Sequence, residues 1–258
     1  MSSIATSAGA CPVLFDDFHA GSITHAMVLI VLALGTCFWI RIGRWAHEKS
    51  REDGRRVDRI LALSLFAIWI LLAGRNLLPG HFRWDRSLPL HICDLTGLAA
   101  PIALWTRWRP ARAILYFWGL GLSTQAFITP VLLAGPVHFA FWAYWIGHFA
   151  IVMTAIYDIT VRAYQPNWSD WRNMVLISAA YVLIVMPVNQ RLGVNYGYLG
   201  RTEVAQRTLV RVLGPWPERV PRLVALVWIG MAGMVPLATL RRTVTAHQQF
   251  GPACTATA

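Results

Sequence analysis

The feature that most constrains this chain is a succession of apolar blocks, each about 20 residues long, the length an α-helix needs to cross a roughly 30 Å hydrocarbon core. Seven follow one another, at residues 24–40, 60–78, 87–105, 113–133, 137–161, 171–188 and 220–240. Lipid offers no hydrogen-bond partners, so a spanning block must satisfy its own backbone, and a helix does so within one segment. Composition agrees. Of the 258 residues, 56% are hydrophobic and 14% charged, where a soluble domain carries about 25% charged residues. The expected fold is all-α: a polytopic membrane protein with a bundle of seven transmembrane helices at residues 24–240. Residues 1–23 are expected as an extracytoplasmic tail and 241–258 as a cytoplasmic one, in a multi-pass protein of the cell membrane.

The charge pattern orients the bundle. All of the 23 basic residues except Lys49 are arginine, and the net charge is +11. In a soluble protein that balance would suggest nucleic acid. Here the basic residues sit in short connections beside apolar blocks, where topology and anionic headgroups account for them. Membrane lipids are therefore the expected partners and nucleic acid is not. The connection 41–59 alone holds Arg41, Arg44, Lys49, Arg51, Arg55, Arg56 and Arg59. Most of the basic residues lie on that side, which places the N-terminus outside and the C-terminus in the cytoplasm. Tryptophans fall near the expected boundaries (Trp39, Trp45, Trp105, Trp108, Trp168 and Trp171 inside, Trp84 outside), while Trp69 and Trp228 read as core.

Four cysteines, Cys11, Cys37, Cys93 and Cys254, show no CxxC or zinc-ligand spacing, so no disulfide framework follows. Ala8-Gly9-Ala10-Cys11 faintly resembles a lipoprotein cleavage box. It lacks a basic start and a long apolar run before it, so no cleaved signal is expected.

The third block departs from its class. Its first half carries His91, Cys93, Asp94 and Thr96 where lipid favours Leu or Val. Ionisable groups in a bilayer cost about 2.5–3.5 kcal/mol each on insertion scales, and they face a protein interior or a wet cavity. On a continuous helix His91 and Asp94 share a face, while Cys93 lies roughly 100° from Asp94 and about 200° from His91. A partner for the thiol then comes from Asp94 or from another helix.

Orientation gathers the remaining polar groups. Arg75 and Asn76 fall near the outer end of the second block, and Gln125 in the outer half of the fourth. His138 falls at the outer end of the fifth, with His148 about 15 Å deeper. The inner halves look nearly free of charge. A cavity open to the outer half of the bilayer is expected, with Arg75, Asn76, Gln125, His138 and Tyr196 binding substrate. The long external connection 189–219 carries Asn195-Tyr196-Gly197-Tyr198-Leu199-Gly200, whose aromatics, Tyr196 among them, would cap the mouth.

Each residue has a plainer reading beside the chemical one. Asp94 would pair with Arg75, His91 would bond a backbone carbonyl, Cys93 would pack as a small hydrophobe, and His138 would sit at the interface. As a nucleophile, Cys93 needs a histidine to take its proton and donors to hold an oxyanion. His148 or His91 would serve as base and Asp94 would orient an imidazole. Arg75, Asn76 or Gln125 would meet developing charge. No nucleophile elbow, phosphate loop, HExxH or carboxylate-rich metal site is present, and no metal or cofactor is expected.

Leu88-Pro89-Leu90-His91-Ile92-Cys93, Asn195-Tyr196-Gly197-Tyr198-Leu199 and Leu213-Gly214-Pro215-Trp216-Pro217 resemble motifs of the YwaF-like bacterial integral membrane proteins, over most of the chain. That family is similar in turn to a eukaryotic transmembrane group, which implies cysteine-dependent acyl transfer on phospholipids. The resemblance points to Cys93 as nucleophile and His148 as base. Two other readings stand beside it. One is a proton-coupled transporter or ligand-binding sensor using His91, Asp94, Arg75 and His148. The other is a structural protein whose polar groups only hold helices together. A homo-oligomer is left open.

Overall fold

Helix α1, Ile23–Lys49, and helix α2, Arg51–Leu77, meet at a single residue, Ser50, in a computed structural model that describes residues 17–201 and 209–249. Ser50 is extended, at φ −161° and ψ 158°. Its N–H donates to the Ala46 carbonyl and ends α1, while its hydroxyl accepts the Asp53 N–H at 2.9 Å and starts α2. Glu52 and Asp53 occupy the first turn of α2, where carboxylates suit the helix dipole. The basic stretch 41–59, read from the sequence as a connection, is thus almost wholly helical. Arg, Lys, Glu and Ala are strong helix formers, and solvated charges beyond the hydrocarbon do not interrupt a backbone.

Helix α3, Ile92–Thr106, is shorter than its apolar block. Pro89 withdraws a backbone donor and disfavours helix at Leu88, so residues 87–91 approach it as a turn in which the Leu90 N–H bonds the Leu88 carbonyl at 2.7 Å. The fourth block is broken as well. Helix α4, Arg109–Ile114, opens on Pro110 and widens into a π-helix, Leu115–Leu120. Only the four-residue helix α5, Gln125–Ile128, follows before the chain extends toward Pro136.

Helix α6 is Phe139–Thr160 and helix α7 is Trp168–Leu192, the latter capped by Asn167 and Asp170. A 3₁₀ turn, Tyr196–Tyr198, helix α8, Leu209–Val212, and helix α9, Arg219–Gln249, complete the chain. Helix α9 runs on through residues 241–249, where a tail was expected. The rest of that tail, residues 1–16 of the N-terminal one, Cys11 and Cys254 lie outside the described residues.

The fold is all-α, with no strand among the described residues. Among the described residues, five segments are long and apolar enough to cross a membrane: α1, α2, α6, α7 and Arg219–Ala238 of α9. The chain is accordingly a multi-pass membrane protein. Ile23, Met27, Ile30, Val31, Leu34 and Phe38 of α1 lie exposed, as does the indole of Trp45. One core joins α2, α3 and α6 through Leu61, Leu65, Leu104 and Ile151, and a second joins the π-helix, α7 and α9 through Phe117, Met174, Val185 and Met231.

Successive long helices alternate in direction. One end of the bundle holds His25, whose ring contacts the Phe127 carbonyl at 3.0 Å, together with His91 and Phe139. The other holds a buried ion cluster, where the inner halves of the helices had looked nearly free of charge. Asp58, 3% exposed, accepts the Tyr157 hydroxyl at 2.8 Å and lies 3.2 Å from both His47 Nε2 and Arg162 Nε. Arg162 also donates to the Ala103 carbonyl at 3.1 Å and lies 3.7 Å from Asp158, which accepts Arg112 Nε at 2.8 Å. Beside it, Arg109 forks onto Asp170 at 2.6 and 2.7 Å. Burial draws the Arg162 guanidinium below its ordinary pKa, and the Asp58 and Asp158 carboxylates oppose that shift. Two glycines admit the cluster. A methyl group at Gly43 would collide with the Tyr157 ring, and one at Gly54 would stand 2.5 Å from His47 Nδ1.

Candidate functional site

Toward the His91 end, α2, α3 and α6 part around a cavity of about 180 Å³. Its polar lining is Asn76 from α2, Cys93 and Asp94 from α3, and His148 from α6. Leu65, Ile68, Leu72, Phe139 and Ile151 supply apolar walls. Four groups expected at the site from sequence therefore border one space.

The late start of α3 sets the character of Cys93. His91 is the N-cap, so Cys93 occupies the first turn rather than the middle of a span. The first amides of a helix have no intrahelical acceptor and carry partial positive charge. His91 and Asp94 are consequently related through a cap and not through a shared helix face. The His91 N–H donates to Asp94 Oδ2 at 3.2 Å, and the Asp94 carbonyl accepts Trp69 Nε1 at 2.9 Å. Cys93 is half-buried, within electrostatic reach of the phenols of Tyr144, Tyr181 and Tyr198.

His148 is held by its own helix. Its Nδ1 lies 2.7 Å from the Tyr144 carbonyl, one turn earlier, and its ring packs on Tyr144 at 4.4 Å between centroids. A carbonyl only accepts, so Nδ1 carries the proton and the lone pair resides on Nε2.

The other expected groups lie apart from the lining. Arg75 is half-buried with its guanidinium 4.1 Å from the centre of the Phe139 ring, and no ion pair joins it to Asp94 among the described residues. The His91 ring packs against Tyr196 at a tilt of 57°, with 4.7 Å between centroids. Tyr196 is fully buried, and its hydroxyl donates to the Trp84 carbonyl at 2.6 Å and accepts the Leu88 N–H at 3.2 Å, fixing the approach to α3. Gln125 is exposed on α5, and His138 is exposed as the N-cap of α6. Among the described residues no three of His, Cys, Asp and Glu converge as a metal ion would require.

Tyr144, Trp69 and Phe139 were not among the site residues expected from sequence. The i, i+4 spacing of Tyr144 and His148 was the available signal for the first. Trp69 had been read as core, and nothing in the sequence set it against Asp94.

A family model matches residues 18–235, from Phe18 beneath Trp145 to Val235 on α9. The chain belongs to the TMEM164 family. No curated protein matches it, and no solved structure does. The TMEM164 match takes in the whole cavity lining and the ion cluster.

Proposed function

We propose that the protein is a membrane-embedded lipid acyltransferase or hydrolase with Cys93 as nucleophile and His148 as base. The observation that carries this reading is the shared cavity: a thiol on the first turn of α3 and an imidazole whose tautomer leaves Nε2 as acceptor line the same space. Nε2 takes the thiol proton as sulfur attacks an ester carbonyl, and the first-turn amides of α3 face the oxyanion. Collapse breaks the ester C–O bond, and the imidazolium returns its proton to the departing alkoxide. The acyl group is left as a thioester. Water or a second lipid hydroxyl then attacks, giving its proton to Nε2, and the thiol is restored. A positioned base of this kind contributes about 10²–10⁴-fold.

In the same reading the chain crosses the cell membrane seven times, counting α3 and the broken segment from α4 to α5, with its N-terminus outside and C-terminus in the cytoplasm. The cavity then faces the outer half of the bilayer, membrane lipids are the partners, and the L-P-L-H-x-C segment keeps its likeness to YwaF-like proteins. An acyl-donating thiol probe tests the chemistry on the full chain in micelles. Label should appear on Cys93, vanish in Cys93→Ser and fall at least a hundredfold in His148→Asn. Equal labelling in wild type and His148→Asn defeats the assignment of the base.

A further inference from the structure

The cavity has a polarity along its length that the chemistry at Cys93 does not explain. On α2 its lining runs from Leu65 to Asn76, and on α6 from Phe139 to Ile151. At 1.5 Å per residue the α2 wall is about 16 Å long. The deep part is apolar: Leu65, Ile68, Ala150 and Ile151. At the opposite end stand Asn76 and Phe139, and over Phe139 lies Arg75.

Arg75 is an unusual cation for its place. It is half-buried on an apolar helix, and no carboxylate lies within ion-pair distance of it among the described residues, although the opposite end of the bundle pairs Arg109, Arg112 and Arg162 with aspartates. The Phe139 ring 4.1 Å from the guanidinium carbon holds it by cation–π attraction. An aromatic face leaves the edge N–H donors unspent, in the planar fork that matches phosphate. Trp69 fixes the register between helices by its bond to the Asp94 carbonyl, and Arg75 follows six residues later on α2. That sets it about 9 Å nearer the mouth than the Cys93 turn. In a glycerophospholipid a handful of bonds separates the ester carbonyl from the phosphorus, and an arginine side chain spans the remainder.

The geometry points to Arg75 as the specificity residue of this cavity: it takes the phosphate of a lipid whose ester lies at Cys93 and whose acyl chain runs down between α2 and α6. This rests on the reading of Cys93 and His148 as the reacting pair, and what it adds is the residue, Arg75 over Phe139, that would meet the phosphate.

Two assays separate the two claims. In neutral maltoside micelles, full-length Cys93→Ser protein is photolabelled with a diazirine-acyl lysophosphatidylglycerol and with the matching monoacylglycerol. In parallel, Cys93-competent protein is assayed for ester turnover with phosphatidylglycerol and diacylglycerol of the same chains. The phosphate-bearing probe should label at least tenfold more strongly. Arg75→Gln should erase the preference, and Arg75→Lys should retain part of it. In turnover, Arg75→Gln should raise KM for phosphatidylglycerol at least tenfold and leave diacylglycerol unchanged. Excess unlabelled lysophosphatidylglycerol should compete with the probe where millimolar inorganic phosphate does not. Labelling indifferent to Arg75 overturns the proposal even where Cys93-dependent turnover persists. Competition by inorganic phosphate alone overturns the lipid assignment in favour of a free-phosphate site. Arg75-dependent labelling without turnover supports the phosphate site and defeats the catalytic reading.

Discussion

His148 Nδ1 is 2.7 Å from the carbonyl oxygen of Tyr144 on the same helix. This bond orients the imidazole without calling on any other segment, and it fixes which nitrogen is free. Asn at position 148 can still donate an amide N–H to that carbonyl but has no basic nitrogen. His148→Asn is therefore expected to fold with a thermal midpoint close to wild type while ester turnover drops about 10²–10⁴-fold. A large loss of midpoint would show that the imidazole is structural.

At the far end, Asp58 balances Arg162 in a buried setting. Asp58→Asn leaves the guanidinium with the Ala103 carbonyl and the more distant Asp158 carboxylate, and breaking such a pair costs about 3–5 kcal/mol. Denaturation of the two proteins in micelles should show that gap, and Tyr157→Phe, which removes one neutral donor, should cost about 1 kcal/mol.

Gly54 faces the His47 ring. A methyl group there must displace an imidazole bonded to Asp58, so Gly54→Ala should destabilise by about 1–3 kcal/mol through overpacking. His47→Ala removes the obstacle, and the double variant should recover most of the loss. Strict additivity of the two changes would argue that they do not meet.

Tyr196 supports the Cys93 turn from outside the cavity. Tyr196→Phe leaves the Trp84 carbonyl and the Leu88 N–H without the phenol, an expected cost of about 1–3 kcal/mol. Hydrogen exchange should quicken across residues 84–91 and little elsewhere; unchanged protection there contradicts the role.

Much of the fold was legible because lipid imposes a length on apolar segments. The blocks around α1, α2, α6, α7 and α9 carry that length plainly. The extent of α1 and α2 was not legible, because arginine and glutamate are read as breaks in hydropathy although they are good helix formers. The break in the fourth block, where α4 widens into a π-helix, leaves no apolar gap to read. At the site, Asn76, Cys93, Asp94 and His148 stood out as polar residues in apolar sequence, and they line one cavity. Tyr196 also stood out, yet its hydroxyl is spent on the backbone of the approach to α3. The ion cluster was hidden because Asp58 and Arg162 look like loop charges, and only the Asp158–Arg162 spacing of four hinted otherwise.

The clasp around Asp58 has a mechanical corollary. It fastens α1, α2, α4 and α6, with the Ala103 carbonyl of α3, at one pole, and the gap between α2 and α6 lies toward the other. Any widening of that gap pivots about the fastened pole, as the jaws of tweezers part while their base stays joined. Parting α2 from α6 there ruptures none of the buried ion pairs.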